Sequence, residues 1–118
     1  MEMQIEELDP EITRAKLIGR MDYAGATEID AQFMELAAQR KLLLVDLSKV
    51  AFLASMGIRT LIMAAKVVKA RGDRMVLFSP EMMVAKVLQT SGTDILIPVH
   101  YDLALACKAL HAARAPKS

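Results

Sequence analysis

Ser55 is the residue of this chain whose setting best suits covalent chemistry. It follows an apolar segment ending at Leu53 and precedes Gly57, a partial match to the Gly-x-Ser-x-Gly turn that carries a nucleophilic serine. Leu53, however, occupies the first glycine position, where such a tight turn needs a residue without a side chain. A general base must also lie within hydrogen-bond reach, and only His100 and His111 are available. We therefore expect no catalytic residues and no enzyme activity.

Metal and nucleotide sites lack their usual sequence patterns. Two isolated histidines and a single cysteine, Cys107, show no zinc-ligand spacing. The segment Ser55-Met56-Gly57 is too short to be a glycine-rich phosphate loop. We expect neither a metal nor a cofactor.

Length and composition restrict the class of protein. A chain of 118 residues with 54% hydrophobic residues predicts one compact domain. The net charge of +1 gives no electrostatic reason for nucleic-acid binding. A lone cysteine suits a reducing compartment, the first residues do not resemble a signal peptide, and no apolar run reaches the roughly 20 residues of a membrane span. These features predict a cytoplasmic protein without membrane insertion.

Ser55 is predicted to lie where a buried strand connects to a helix. Residues 42–45 form an unbroken apolar run typical of a strand covered on both faces. Asp46, Ser48 and Lys49 then predict a polar turn, in which Asp46 and Ser48 bond to the backbone. A helix is predicted from about residue 56 to residue 70. The N-terminus of such a helix favours negative charge.

This helix carries two apolar stripes. The stripe with core spacing consists of Ile58, Leu61, Ile62, Ala65 and Val68. A second stripe, on the opposite side, consists of Met56, Thr60, Met63 and Val67. Either a neighbouring element covers the second stripe, or it is an exposed apolar patch that begins beside Ser55.

The other elements predict an α/β domain. An N-terminal hairpin uses residues 1–5 and 12–18, and a helix spans residues 24–38. A strand follows at residues 74–78, and the next helix has Ser79 as N-cap, Pro80 at its first position and an end at Ser91-Gly92. A last strand at residues 95–99 is assigned to an edge because it contains Pro98. The final helix uses Leu103, Ala106, Leu110 and Ala113.

The predicted fold is thus a mixed sheet of about five strands with about four helices, packed mainly on one face. A single domain is expected over residues 1–114, with a frayed tail at residues 115–118.

The segment from Asp46 to Ile58 resembles the signature of the STAS domain, a family named for sulfate transporters and anti-sigma factor antagonists. The matching residues are Asp46, Leu47, Ser48, Val50, Phe52, Leu53, Ser55, Gly57 and Ile58. Two positions depart from the pattern, because Ala54 stands where the family often has Asp and Met56 where it often has Ser or Thr.

The resemblance implies a non-enzymatic anti-sigma factor antagonist with Ser55 as its phosphorylation site. The implied partners are an anti-sigma factor, a serine kinase of the histidine-kinase ATPase type, and a PP2C-like phosphatase. The partner-binding residues are expected to be Asp22, Ala54, Met56, Gly57, Thr60 and Met63.

Two interpretations remain open beside this one. Ser55 and Asp22 could each be only a helix N-cap, a role that fits the same sequence pattern. The protein could then be a STAS sensor or scaffold module that binds a small ligand or assembles into a signalling complex.

Overall fold

After an N-terminal hairpin, strands and helices alternate along the chain of the computed structural model, which describes residues 1–39 and 42–112. The strands of these residues are β1 (Glu2–Glu7), β2 (Ile12–Met21), β3 (Leu42–Leu53), β4 (Arg74–Phe78) and β5 (Val99–His100). Their helices are α1 (Tyr23–Gln39), α2 (Ser55–Ala70), α3 (Met82–Thr90), α4 (Thr93–Leu96) and α5 (Leu103–Ala112).

The strands form one mixed sheet in the order β1-β2-β3-β4-β5. β1 pairs with β2 in antiparallel fashion, whereas β2, β3, β4 and β5 are parallel to one another. Parallel neighbours need crossover connections, which α1, α2 and the α3–α4 pair supply. Because α1, α2 and α3 each follow a parallel strand, all three begin at the same edge of the sheet.

Two apolar clusters cover the two faces of the sheet. The larger joins α1, α2 and α3 to the sheet, with buried residues such as Phe33, Leu61 and Leu88. The smaller lies beneath α5 and comprises Ile12, Leu42, Leu44, Val76, Ala106 and Leu110. The predicted mixed sheet with helices mainly on one face is therefore confirmed, as is the strand at Arg74–Phe78.

The turn predicted at Asp46, Ser48 and Lys49 is wrong, because β3 continues through these residues to Leu53. β3 carries one extra residue opposite residues 16–18 of β2 and another opposite residues 19–20. These bulges interrupt the strand's alternation, so polar residues appear where a regular buried strand would be apolar. β2 is correspondingly longer than predicted and reaches Met21, with Gly19 at a φ of 118° beside the second bulge.

The local role predicted for Asp46 is confirmed within the strand. Its Oδ1 accepts a hydrogen bond from the Ser48 amide at 2.8 Å. The same carboxylate also forms an ion pair with Arg14 of β2, whose guanidinium lies over the ring of Phe78 at 5.9 Å from its centroid. Asp46 is fully buried, so a partner 32 residues away explains a polar residue in the sheet interior.

The predicted start of α3 is also wrong. α3 begins at Met82 with Glu81 as its N-cap, so neither Ser79 nor Pro80 has its predicted capping position. Ser79 instead adopts a φ of 52° and donates its amide to the carbonyl of His100 at 2.8 Å. Ser79 is therefore still bonded to β5, and α3 can begin only later in the sequence.

The strand predicted at residues 95–99 is reduced to Val99–His100. Residues Thr93–Leu96 form one helical turn, closed by a 2.8 Å hydrogen bond from the Ile97 amide to the Thr93 carbonyl. Gly92 precedes this turn with a φ of 75°. The edge position inferred from Pro98 is confirmed, because β5 ends the sheet.

The buried face of α2 is rotated from the predicted core stripe. Its buried positions are Gly57, Thr60, Leu61, Ala64 and Val68, whereas Ile58, Ile62 and Ala65 are only partly buried. α1 packs along α2, so part of the second stripe faces this helix. Ala113 and residues 114–118, the predicted end of the last helix and of the domain, lie outside the described residues.

Candidate functional site

Ser55 is the first residue of α2 and is exposed to solvent. The N-cap is Ala54, whose backbone is extended and whose carbonyl accepts the Ile58 amide at 3.1 Å. The interpretation of Ser55 as an N-cap is therefore wrong. The helix begins at Ser55, one residue before the predicted start, so Ala54 takes the N-cap position in extended conformation.

The first turn of α2 has an uncompensated positive end. Ala54 has no side chain that could cap it, and the turn contains no acidic residue. Free amides at a helix N-terminus and the helix dipole both attract an anion. Arg59, also exposed, lies one turn after Ser55 on the same side of the helix. A negative group on Ser55 would thus find favourable electrostatic surroundings.

α1 begins beside α2 at the same sheet edge. Met21 and Leu53 are register partners at the ends of β2 and β3, and the Ala54 amide donates to the Met21 carbonyl at 3.1 Å. Asp22 then caps α1, accepting the Gly25 amide at 2.8 Å. The Gly25 amide and the Arg20 guanidinium hold the pKa of Asp22 below its ordinary value. The N-cap interpretation of Asp22 is therefore confirmed, and Asp22 directly follows Met21, whose carbonyl bonds to the N-cap residue of α2.

Two glycines permit this close packing of helix starts. A Cβ at Gly57 would lie 2.7 Å from both the Met21 carbonyl oxygen and Leu53 Cδ1. A Cβ at Gly25 would overlap the carbonyl oxygen of Arg20. Real Cβ atoms do not approach so closely, so each helix start is locked against the end of β2.

A groove of about 470 Å³ lies on the surface where α1 and α2 meet. It is lined by Ala26, Thr27, Asp30, Ala31, Met34, Met56, Arg59, Thr60 and Met63. Met63 is 44% exposed, whereas Met56 is half-buried against the core and Thr60 is buried, with its hydroxyl donating to the Met56 carbonyl at 3.0 Å. Met56, Thr60 and Met63 of the second stripe are thus part of one wall of a groove, whereas Val67 packs against the core.

The structure brings most of the predicted site residues together. Ala54, Ser55 and Met56 form the start of α2, and Met63 lies farther along the groove that Met56 also lines. Gly57 and Thr60 also belong to this region, but both are buried and hold the helix in place rather than present a surface.

The exposure of two aromatic residues at this edge was not predicted from the sequence. Tyr23 is the first residue of α1, next to Asp22, and Phe52 is the second-last residue of β3, three residues before Ser55. Arg20 lies over the Phe52 ring at 4.5 Å from its centroid. An aromatic residue in a strand is normally expected to be buried. The outward position of Phe52 results from the bulges, which change the alternation of side chains along β3, and the sequence does not show the bulges directly.

The histidines give Ser55 no general base. His100 of β5 pairs with Phe78 of β4, which in turn pairs with Asp46 of β3. His100 is therefore level with Asp46, nine residues before Ser55, and it lies two strands away from β3. His111 contacts Asp9 at 3.0 Å, at the turn between β1 and β2. Residues 1–39 and 42–112 contain no group of three metal-ligating side chains, and none of their helices is long and apolar enough to span a membrane.

Comparison with known proteins identifies the fold. An anti-sigma factor antagonist from Mycobacterium paratuberculosis is 20% identical with a TM-score of 0.81, covering 93% of each chain. The anti-sigma factor antagonist SpoIIAA in its unphosphorylated form is 20% identical with a TM-score of 0.76, covering 94% of this chain and 97% of its own. The Bacillus cell fate determinant SpoIIAA in its phosphorylated form is 19% identical with a TM-score of 0.69, covering 92% and 99%.

Among curated protein sequences, none matches the chain. The sequence profile of the STAS domain, however, matches residues 5–106, which include the whole of the Ser55 region. This match agrees with three features of the structure: the N-terminal hairpin, the order of the strands, and the helix that starts at Ser55. The chain belongs to the STAS domain family.

Proposed function

We propose that this protein is a cytoplasmic, non-enzymatic anti-sigma factor antagonist that is switched by phosphorylation of Ser55. In the unphosphorylated form it binds an anti-sigma factor, a serine kinase of the histidine-kinase ATPase type. Phosphorylation releases the complex, and a PP2C-like phosphatase restores the binding form. The observation that carries the proposal is the exposed Ser55 hydroxyl on the uncapped, acid-free first turn of α2.

The same phosphate would have opposite effects on folding and on binding. It adds a charge of about −1.5 to −2 at neutral pH, which the amides and dipole of the helix N-terminus stabilise. Within an apolar interface, that charge must lose its hydration without gaining a partner, which is costly. Phosphorylation of Ser55 would therefore abolish binding while leaving the fold intact. SpoIIAA, an anti-sigma factor antagonist of the same fold, has both an unphosphorylated and a phosphorylated form, which supports phosphorylation as the modification.

The partner is proposed to dock over the start of α2 and the adjoining groove. Met56 and Met63 supply flexible apolar contacts, since methionine adapts to a partner's contour. Asp22 and Ala54 lie at the edge of this surface, where Asp22 would mainly influence the association rate. Gly57 and Thr60 would contribute indirectly, by fixing the position of α2.

Intact-mass measurement after incubation with ATP and kinases of this class tests the modification. One phosphate should be added to the wild type and none to Ser55→Ala. Ser48→Ala and Thr60→Val are the matched controls, since both alter hydroxyl residues in the same region, and both should still be phosphorylated. Full modification of Ser55→Ala would refute the assignment of the site.

Binding isotherms with the same kinase test the switch. Ser55→Asp should weaken binding at least about tenfold through its charge. Ser55→Asn has nearly the same shape without the charge and should bind much like the wild type, as should Ser55→Ala. Equal affinities of the Asp and Asn variants would show that charge at this position does not control the complex.

The alternative, a sensor or scaffold module, no longer includes an N-cap role for Ser55, because Ala54 holds that position. The groove between α1 and α2 is the feature that favours a small ligand. Native mass spectrometry of the purified protein distinguishes the two functions, since a sensor should retain a bound mass that Met63→Glu removes.

A further inference from the structure

The two edges of the sheet differ sharply in chemistry. Glu2, Glu6 and Glu7 make the outer strand β1 strongly acidic, and all three are exposed. Charged edge strands resist pairing with another chain. The opposite edge, at β5, is only two residues long and has no acidic or basic cluster of its own, and the elements around it expose large apolar side chains. The β5 edge is therefore the one suited to be covered by another molecule.

Exposed hydrophobic side chains concentrate around β5. Among the described residues, eleven large hydrophobic side chains are exposed, and only Ile5, Tyr23, Phe52 and Met63 lie outside residues 82–105. The other seven belong to α3, α4, α5 and the segment after β5, including Met82 at 86%, Ile95 at 85% and Tyr101 at 61% exposure. We call this surface, formed by the outer edge of β5 with α3, α4 and the start of α5, the β5 flank.

A groove of about 480 Å³ runs along the β5 flank between α3 and the edge strand. Met82 and Tyr101 line it from the two sides. The Pro98 carbonyl accepts the Leu77 amide of β4, and the His100 carbonyl accepts the amide of Ser79, which directly follows β4. Since successive residues of a strand direct their backbone groups to alternate sides, the N–H and C=O of Val99 point away from β4, on the open side of the strand. The groove thus combines apolar walls with an open backbone edge.

The groove carries one charge of each sign, so two copies of it can be complementary to each other. Lys86 of α3 and Asp94 of α4 both line it. In a two-fold symmetric dimer every contact occurs twice. If residue i of one copy contacts residue j of the other, then residue j of the first copy also contacts residue i of the second. Lys86 of one copy can therefore meet Asp94 of the other, twice per interface. The net charge of +1 adds little repulsion between copies.

The exposed apolar area also fits a dimer. A large aliphatic side chain buries roughly 60–120 Å², so the seven partly exposed side chains offer about 400 Å² per copy. If all seven were fully covered, two copies would bury about 800 Å² of apolar surface, and about 1,200 Å² in total at the roughly 65% apolar fraction of homodimer interfaces. That total corresponds to the lower limit of stable interfaces, roughly 1,200–2,000 Å².

We propose that the β5 flank is the interface of a two-fold symmetric homodimer of this chain, with the two β5 edges side by side and Lys86 of each copy paired with Asp94 of the other. Ser55 follows β3, two strands away from β5, and remains uncovered. The dimer does not depend on phosphorylation or on the proposed anti-sigma partner.

Sedimentation equilibrium of the full chain, without kinase, tests this proposal. The wild type should show a reversible monomer–dimer equilibrium. Lys86→Asp leaves two acids in the groove and Asp94→Lys leaves two bases, so each variant alone should dissociate at least about tenfold more readily. An equimolar mixture of the two variants should recover dimers, because in the mixed dimer opposite charges meet at both of the symmetric contacts. The double variant should also recover them.

Matched isoleucines on the two edges provide the control. Ile95→Lys should abolish the dimer, whereas Ile5→Lys, on the acidic β1 edge, should leave it unchanged. A wild type that stays monomeric at every concentration overturns the proposal. So does a dimer that Ile95→Lys and the charge variants leave intact, because its interface would then lie elsewhere. Circular dichroism of each variant verifies that it is folded.

Discussion

The amide of Ala54 donates a hydrogen bond to the carbonyl of Met21 over 3.1 Å, directly after the last pair of β2 and β3. This bond joins the end of one strand to the start of the helix that follows the other. α1 and α2 consequently begin side by side, and Asp22 and Ser55 share one edge of the sheet. The candidate site is therefore built on strand ends and helix starts rather than on a long loop.

Ala54→Asp should stabilise the protein. Position 54 is an N-cap without a capping side chain, and Asp is a preferred residue there. The gain should be about 0.5–2 kcal/mol in the free energy of unfolding, measured by urea denaturation. Ala51→Asp, an equal charge change on an exposed part of β3, should shift stability by less than about 0.5 kcal/mol. An unchanged urea midpoint for Ala54→Asp would argue against an uncapped helix start.

Gly57→Ala should destabilise the protein although alanine is the better helix former. The added methyl group would lie 2.7 Å from the Met21 carbonyl oxygen and Leu53 Cδ1, so the overpacking should cost about 1–3 kcal/mol. Gly25→Ala should be worse, because its methyl group would lie closer still to the Arg20 carbonyl oxygen and would overlap it. Thermal melts of both variants give the order, with the exposed Ser55→Ala as the neutral reference. A higher melting temperature for Gly57→Ala would contradict the close packing.

Met63→Glu and Met56→Lys should differ in stability. Met63 is 44% exposed, so its substitution should impair kinase binding and leave the melting temperature almost unchanged. Met56 packs against the core, so Met56→Lys should also lower stability, by about 1 kcal/mol or more. Melting curves and binding isotherms on the same samples separate the two effects. Wild-type affinity for both variants would place the docking surface elsewhere.

Arg14→Met should be strongly destabilising because it leaves the buried Asp46 carboxylate without its cation. Breaking such a pair from one side costs about 3–5 kcal/mol, whereas replacing both partners with apolar residues costs much less. The double variant Arg14→Met/Asp46→Leu should therefore be more stable than Arg14→Met alone. Urea denaturation of the four proteins in this cycle measures the coupling, and simple additivity would argue against a buried ion pair.

Acid should weaken the fold partly through Asp46. Burial raises the pKa of Asp46, but hydrogen bonds from Ser48 and the charge of Arg14 outweigh it and hold the pKa below its ordinary value. The ionised carboxylate thus contributes stability that is present above the unfolded pKa of about 3.9 and is lost as the pH falls through the lower folded pKa. Asp46→Asn should flatten this acid limb of the stability curve. An acid limb as steep as in the wild type would assign the loss to other carboxylates, such as Asp9 beside His111.

Local patterns were sufficient to predict the elements that carry the site. The apolar run before Ser55, the helix after it and the alternation of the hairpin each depend on neighbouring residues, and the structure has all three. The position of Ser55 at a helix start was predictable for the same reason. The exact cap was not, because Ala54 has no side chain that signals an N-cap.

Features that depend on distant partners could not be read from the sequence. Asp46 indicated a turn because Arg14, which neutralises it, lies in another strand. The bulges of β3 arise from its pairing with β2, and the rotation of α2 arises from packing against α1. The groove beside Ser55 results from the same packing of α2 against α1. The sequence could therefore predict the apolar stripe of α2, but not that α1 forms the opposite wall.

The tight seating of Gly57 against Met21 and Leu53 also bears on how fast the proposed switch could respond. We expect a helix start packed this closely to keep its position when the phosphate is added, because close-packed interiors resist deformation. The added charge would act where it is placed, with no slow rearrangement between modification and release. The response time of the pathway would then be set by the turnover of the kinase and the phosphatase and by the dissociation rate of the complex.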